Sequence, residues 1–236
     1  MIKLVIFDLG ETLIFYKDLS LDWSAHYENA VKTAAENSSL QLSSSQLYEA
    51  SKILLKYNTR INPRINEIPA EIIFNEILNA LDINKYFLTS FIESFFKYFQ
   101  RKAVPEETVA ELLSFLKAKN ITTAILTDVP YGMPKYLVMK DLGSLADKID
   151  FVLTSSEVGF RKPSVTGINF LLSKFNCNAK ETIMVGNEKK DIKTANTAGV
   201  FSILISKEKS VQTFGQAKTI NKLSEIKNLI ITGTNA

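Results

Sequence analysis

Cysteine and histidine each occur once in the 236 residues. A lone Cys177 excludes any disulfide within the chain, and its place between Asn176 and Asn178 reads as a loop thiol at the surface. A lone His26 removes a Ser-His-Asp triad or a multi-histidine zinc centre built from this chain, and leaves that residue to packing or solvent contact on a helix. Long apolar runs are also missing. The run at the amino end, Leu4 to Phe7, is too short for a secretory h-region or a membrane span and is closed by Asp8, so the expectation is a cytoplasmic protein without membrane contact. No dense block of Lys and Arg stands out: 28 basic and 25 acidic residues give a net charge of +3, and the Lys-rich stretches near the carboxyl end are interleaved with acids and apolar residues. Nucleic acid is therefore not an expected partner. Internal repeats and low-complexity segments are absent too.

What is present fits an ordinary globular enzyme. With 46% hydrophobic and 22% charged residues, a chain of this length can bury a sizeable core. The stretch Leu4-Val5-Ile6-Phe7-Asp8-Leu9-Gly10 is a short apolar run without alternation that delivers a carboxylate into a glycine-containing turn. Such runs are buried parallel strands, and open α/β sheets place ligands at the carboxyl ends of their strands. Asp8 is then either a cap on the following turn or a functional group.

Three further segments bear on that choice. Ile121 to Leu126 reads as a second apolar strand ending in Thr127 and Asp128, followed by a loop with Pro130, Gly132 and Pro134. Gly159-Phe160-Arg161-Lys162-Pro163 offers a cation in a turn before a helix. Thr182 to Val185 is a third strand, running into Gly186, Asn187, Glu188 and Asp191.

Between the first two strands, roughly Lys17 to Arg101 lacks strand-like alternation. Leu21 to Asn37, Ser45 to Tyr57, Pro69 to Leu81 and Lys85 to Lys102 repeat apolar residues at spacings of three and four, which predicts a helical bundle. Phe87, Phe91, Phe95, Phe96, Tyr98 and Phe99 give the last helix an aromatic stripe, read as bundle core ahead of a substrate lining. Trp23 reads the same way. From Pro105, expected to open a helix over 106–119, strands and helices alternate: helix 135–148, strand 151–154, then 165–175, 182–185, 191–198, 201–205 and 220–229. This is an α/β pattern with right-handed crossovers and a mainly parallel sheet flanked by helices.

Phe7-Asp8-Leu9-Gly10-Glu11-Thr12-Leu13, Thr127-Asp128, Arg161-Lys162-Pro163 and Val185-Gly186-Asn187 with Asp191 together resemble, in order and spacing, the four motifs of the haloacid dehalogenase superfamily. The resemblance spans the chain. It implies a Rossmann-like core over 1–16 and 102–236 and a helical cap of the C1 type over 17–101. It also implies a magnesium-dependent phosphatase of small phosphorylated metabolites, working through an aspartyl-phosphate as a monomer or homodimer. By the same resemblance Asp8 is the nucleophile. Thr127, Asp128, Lys162 and the backbone at Gly10 meet the phosphoryl group, with Thr127 and Lys162 stabilising the transition state. Asp8, the Gly10 carbonyl, Asp191 and Asn187 hold Mg2+. The physical demand agrees, because a carboxylate and a phosphate repel, and magnesium accepts carboxylate, carbonyl and water oxygens.

The chain departs from the family pattern at three positions. Gly10 stands where most phosphatases of the family carry a second Asp that protonates the leaving group. Losing a general acid forfeits about 10²–10⁴-fold in rate, and Glu11 is the nearest stand-in. Asn187 replaces an Asp and removes a negative charge from the metal ligands, for which Asp191 and Glu188 could compensate. Asp128 stands where Asn is common. These changes keep two alternatives open: a feeble or inactive phosphate-ligand binder, and a 2-haloacid dehalogenase using Arg60, Arg64 or Arg101 for the halide. Tyr16, Lys17, Trp23, Tyr27 and Arg60 are positional guesses at substrate contacts.

Overall fold

The strand β1, Leu4–Phe7, is wholly buried, as an apolar run without alternation requires when helices cover both faces of a sheet. The computed structural model describes residues 1–17, 19–20, 22–100, 103–207 and 213–232. Its main sheet adds β4 (Thr122–Thr127), β5 (Phe151–Thr154), β6 (Thr182–Gly186), β7 (Phe201–Ile205) and β8 (Lys218–Ile220), in the order β5-β4-β1-β6-β7-β8. Every pairing is parallel. Phe7 is in register with Ile125 on one side and Val185 on the other. The residues that follow these three strands therefore emerge along one edge of the sheet.

Side-chain alternation sets one face of this sheet. Leu4, Ile6, Ala124, Leu126, Leu153 and Met184 pack with Ile168 and Leu171 of α8 (Thr166–Lys174) and with Ala195 of α9 (Lys189–Thr197). Cys177 is half-buried against this cluster and its thiol donates to Phe175 O (3.4 Å), so it is a packing residue where the sequence suggested a surface thiol. Contacts divide the chain into two units: 1–15, 104–128 and 142–236 contain the sheet, and 16–103 with 129–141 form a helical unit. The chain passes between them through β2 (Ile14–Tyr16) and β3 (Ala103–Pro105), which pair as a two-stranded sheet.

Three expectations differ here. Pro105 ends β3 instead of opening a helix; Glu106 donates its N–H to Leu13 O, and its carboxylate accepts from Thr108 N and Oγ1, so a turn intervenes before α5 (Val109–Ala118). The segment 220–229 contains the end of β8, a turn held by Glu225, and the start of α10 (Glu225–Thr232). Residues 129–141 group with the helical unit although the sequence placed 102–236 wholly with the core. Their packing explains it. Tyr131 is 4% exposed and its hydroxyl hydrogen-bonds that of Tyr27, while Gly132 lies directly under the backbone of Ile68 to Ala70.

The helical unit holds α1 (Tyr27–Asn37), α2 (Ser44–Tyr57), α3 (Ala70–Ala80) and α4 (Leu88–Phe99). The expected helix ends at Leu21 and Lys102 lie outside the described residues. The serine run serves α2 as its start signal: Ser43 Oγ accepts from Gln46 N, and the Gln46 side chain accepts from Ser43 N. The aromatic stripe of α4 is bundle core. Phe91, Phe95, Phe96 and Phe99 are buried, Phe95 sits edge-on to Phe74 at 4.9 Å, and Trp23 stacks on Phe99 at 3.9 Å. His26 is half-buried beside Tyr98. Among the described residues no helix is long and apolar enough to cross a membrane.

Candidate active site

Asp8 is the first residue beyond β1, and its N–H donates to Val185 O at 2.8 Å, which fixes the backbone as it leaves the sheet. Its carboxylate is buried. The Asp8 carboxyl is raised to about 6, chiefly by burial and further by the charge of Asp191, against the opposing pull of the Lys162 and Lys190 ammonium groups. Lys162 Nζ donates to Asp8 Oδ1 at 2.5 Å and to Leu126 O at 3.2 Å, and it pairs with Asp191 Oδ1 at 2.6 Å. Burial works against this ammonium. The carboxylates of Asp191, Asp8 and Asp128 outweigh burial and hold it well above the usual lysine range.

Asp191 reaches this cluster from the first turn of α9, fully buried, with Oδ2 accepting from Glu188 N at 2.9 Å. Its approach depends on Gly186 at the end of β6, where any side chain would collide with it. Asn187 Oδ1 accepts from Thr12 Oγ1 at 3.3 Å, which ties the turn after β1 to the turn after β6. Gly10 lies in that first turn, bridged to Ile14, and Glu11 follows in a left-handed conformation (φ 55°) with a half-buried side chain. Thr127 is the last residue of β4 and is 6% exposed.

The structure thus brings Asp8, Lys162 and Asp191 into direct contact, and seats Thr127, Gly10, Glu11 and Asn187 at the same edge of the sheet. Asp128, expected to meet the phosphoryl group, is otherwise engaged. Its Oδ1 accepts from Lys162 N at 3.0 Å and its Oδ2 pairs with Lys190 Nζ at 3.1 Å. Burial opposes its charge, but Lys162, Lys190 and Arg161 prevail and hold the carboxyl below the usual range. Asp128 therefore pins the loop that carries Lys162 through that residue's backbone N–H, and its negative charge is met by the ammonium of Lys190. In the helical unit, Arg64 Nη1 donates to Tyr57 O (2.7 Å) and Nη2 lies 3.5 Å from Glu67; Arg101 lies outside the described residues.

Sequence reasoning missed Lys190 and Thr12. The only signal for Lys190 was its place one residue before Asp191 at a helix start. Its partner Asp128 lies 62 positions earlier in the chain, and nothing linear connects the two.

The donors available to a metal are all oxygens: Asp8, Asp191, the Asn187 amide and the Gly10 carbonyl. Asp191 Oδ1 is buried and lies 2.6 Å from Lys162 Nζ. Among the described residues no three His, Cys, Asp or Glu side chains converge. A pair of carboxylates with carbonyl oxygens suits magnesium, which keeps several waters, and suits neither zinc nor a calcium cage.

Comparison with known proteins gives a family and a fold. The family model of haloacid dehalogenase-like hydrolases matches residues 2–199. A phosphoglycolate phosphatase of Rhodospirillum rubrum is 34% identical over 95 residues, 40% of this chain and 39% of that protein. A glyceraldehyde 3-phosphate phosphatase of Methanothermobacter thermautotrophicus is 40% identical over 60 residues, 25% of this chain and 26% of that one. The chain thus spans well under half the length of these two curated relatives. A crystal structure of a 2-haloacid dehalogenase from Pseudomonas syringae superposes with a TM-score of 0.72 at 22% identity, covering 98% of this chain and 99% of that one, a likeness of fold alone.

Proposed function

The chain belongs to the haloacid dehalogenase-like hydrolases, and we propose that it is a magnesium-dependent phosphatase of small phosphorylated metabolites, acting through a phosphoryl group carried on Asp8. The observation that carries this reading is the Asp8–Lys162–Asp191 cluster. A carboxylate stands at the end of the central strand, held by a buried ammonium whose second carboxylate partner is Asp191. The named phosphatases above support the reaction class.

Asp8 attacks phosphorus with one carboxylate oxygen, the P–O bond to the leaving group breaks, and water then hydrolyses the acyl phosphate. Lys162 orients Asp8 before attack. Its ammonium, fixed by Leu126 O and the two carboxylates, needs no reorganisation to face negative charge growing on the phosphoryl oxygens. Thr127 offers a hydroxyl to the same oxygens. Asp8, Asp191, Asn187 and the Gly10 carbonyl would hold magnesium, which when bound would neutralise the charge that the nucleophile and the phosphate bring together. Glu11 is the candidate proton donor because Gly10 cannot be one; esters with good leaving groups need that proton least.

Phosphate release from an aryl phosphate and a panel of sugar and hydroxy-acid phosphates, with magnesium and with chelator, tests the proposal. Release that needs magnesium is expected. Release unchanged by chelator removes the metal from the account, and silence across the panel removes the phosphatase.

A further inference from the structure

The cluster at the edge of the sheet contains two lysines in different situations. Lys162 has a side chain 1% exposed and is fully committed to Asp8, Asp191 and Leu126 O. Lys190 has a side chain 28% exposed, and its ammonium lies 3.1 Å from both Asp128 Oδ2 and Glu188 Oε2. These two partners differ. Asp128 is buried (4%) and already accepts from the Lys162 backbone, so it anchors the site end of Lys190 whatever else happens. Glu188, at 21% exposed, is the more accessible of the two partners, so the Lys190–Glu188 pair is the one that water and a competing anion can reach. Lys190 can therefore exchange Glu188 for another anion while Asp128 still holds it, whereas both carboxylates that hold Lys162 are buried.

Its position decides which anion. Lys190 Nζ lies 3.1 Å from Asp128 Oδ2, and the other oxygen of that carboxylate accepts from the N–H of Lys162, so the ammonium borders the cluster where the phosphoryl group must sit. The positive charge facing the phosphoryl oxygens already comes from Lys162. A second, partly exposed ammonium beside it is positioned for a negative group on the rest of the substrate.

We propose that Lys190 recognises a second anionic group on the substrate, so that the preferred substrates are doubly anionic phosphate esters, such as a phosphorylated hydroxy acid or a bisphosphate, ahead of esters with a neutral remainder. This rests on the phosphatase reading above and adds the substrate class. Glu188 occupies Lys190 in the free enzyme and yields it when the ligand's second anion arrives. Asp128 keeps the ammonium at the site through the exchange.

The test compares kcat/KM of the parent protein, Lys190→Met, Lys190→Arg and Glu188→Gln on four probes: an aryl phosphate, glycerol phosphate, a phosphorylated hydroxy acid and a sugar bisphosphate. Lys190→Met is expected to lose at least tenfold more on the last two probes than on the first two, mainly in KM, with Lys190→Arg restoring most of the difference. Glu188→Gln keeps an oxygen for the helix start and weakens the competing partner, so it lowers KM for the doubly anionic probes. A larger loss on the phosphorylated acid marks the second anion as a carboxylate, and a larger loss on the bisphosphate marks it as a phosphate. Equal losses on all four probes, or none, overturn the proposal while leaving the phosphatase in place. Absence of turnover in the parent protein overturns the phosphatase, and this proposal with it. Thermal melts of each variant separate a folding defect from a binding one, and Glu188→Gln carries the test if Lys190→Met does not fold.

Discussion

Gly186 exists to admit Asp191. A Cβ on the glycine would lie 2.4 Å from the Cβ, Cγ and Oδ2 of the aspartate, far inside any non-bonded contact a Cβ makes. In Gly186→Ala the carboxylate must retreat, giving up its hydrogen bond from Glu188 N and its contact with Lys162. The expected results are a stability loss of about 1–3 kcal/mol from overpacking and a fall in kcat/KM of about 10²-fold from misplacement. Urea melts and steady-state rates on an aryl phosphate read both. Parent-level activity in the folded variant would show that Asp191 does not contribute to turnover.

Gly10 is the opposite case. A Cβ there meets nothing within 4 Å, so the first atom of an aspartate side chain enters open space. If the missing acid limits the reaction, Gly10→Asp raises turnover of esters with poor leaving groups by at least tenfold, towards the roughly 10²–10⁴-fold that a general acid provides. Aryl phosphates should gain less. Equal rates for variant and parent on a sugar phosphate would mean that Glu11, or another group, already delivers the proton.

Asp141 carries a pH dependence of stability. Burial pushes its carboxyl up to about 6, while the hydrogen bond from Tyr16 Oη (2.9 Å) works in the other direction. Because an unfolded Asp titrates near 3.9, the folded protein binds this proton more tightly, so stability falls as pH rises from about 4 to 6 and stays reduced above that. Asp141→Asn keeps an acceptor for Tyr16 and removes the charge. It should stabilise the protein at pH 7.5 by up to about 2–3 kcal/mol and leave it nearly unchanged at pH 4. Denaturant melts at the two pH values decide, and a variant less stable at pH 7.5 would show that the ionised carboxylate has a favourable partner.

Gly132→Ala tests the attachment of residues 129–141 to the helical unit. The glycine has φ +66°, and a Cβ would meet Ala70 N and Ile68 O at 2.4 Å. Strain and collision act together, so a loss exceeding about 1 kcal/mol is expected. Hydrogen exchange should show it first in α3, whose amino end the glycine touches. Unaltered protection there would contradict the packing described.

Much of this was legible in the sequence because the governing signals are local. The unbroken apolar run Leu4–Phe7 could only be a strand covered on both faces. The spacing of phenylalanines in α4 could only be a helix face, and Asp8, Lys162 and Asp191 announced themselves by motif. What was not legible depends on contacts between distant positions. Pro105 looked like a helix start because the pairing of β3 with β2 leaves no local trace. Residues 129–141 looked like core because they follow β4, whereas the Tyr131 and Gly132 contacts that claim them come from 62 to 104 residues away. The partners of Asp128 were hidden for the same reason, since the Lys162 N–H comes from the loop after α7 (Ser155–Val158) and the Lys190 ammonium from α9.

The central claim is that Asp8 carries the phosphoryl group, and the direct measurement is peptide mass spectrometry on enzyme quenched in acid during turnover of an aryl phosphate with magnesium. The account predicts one phosphoryl group on the peptide containing Asp8, lost together with activity in Asp8→Asn. Turnover with no phosphoryl group on that peptide, or parent-level activity in Asp8→Asn, would contradict it.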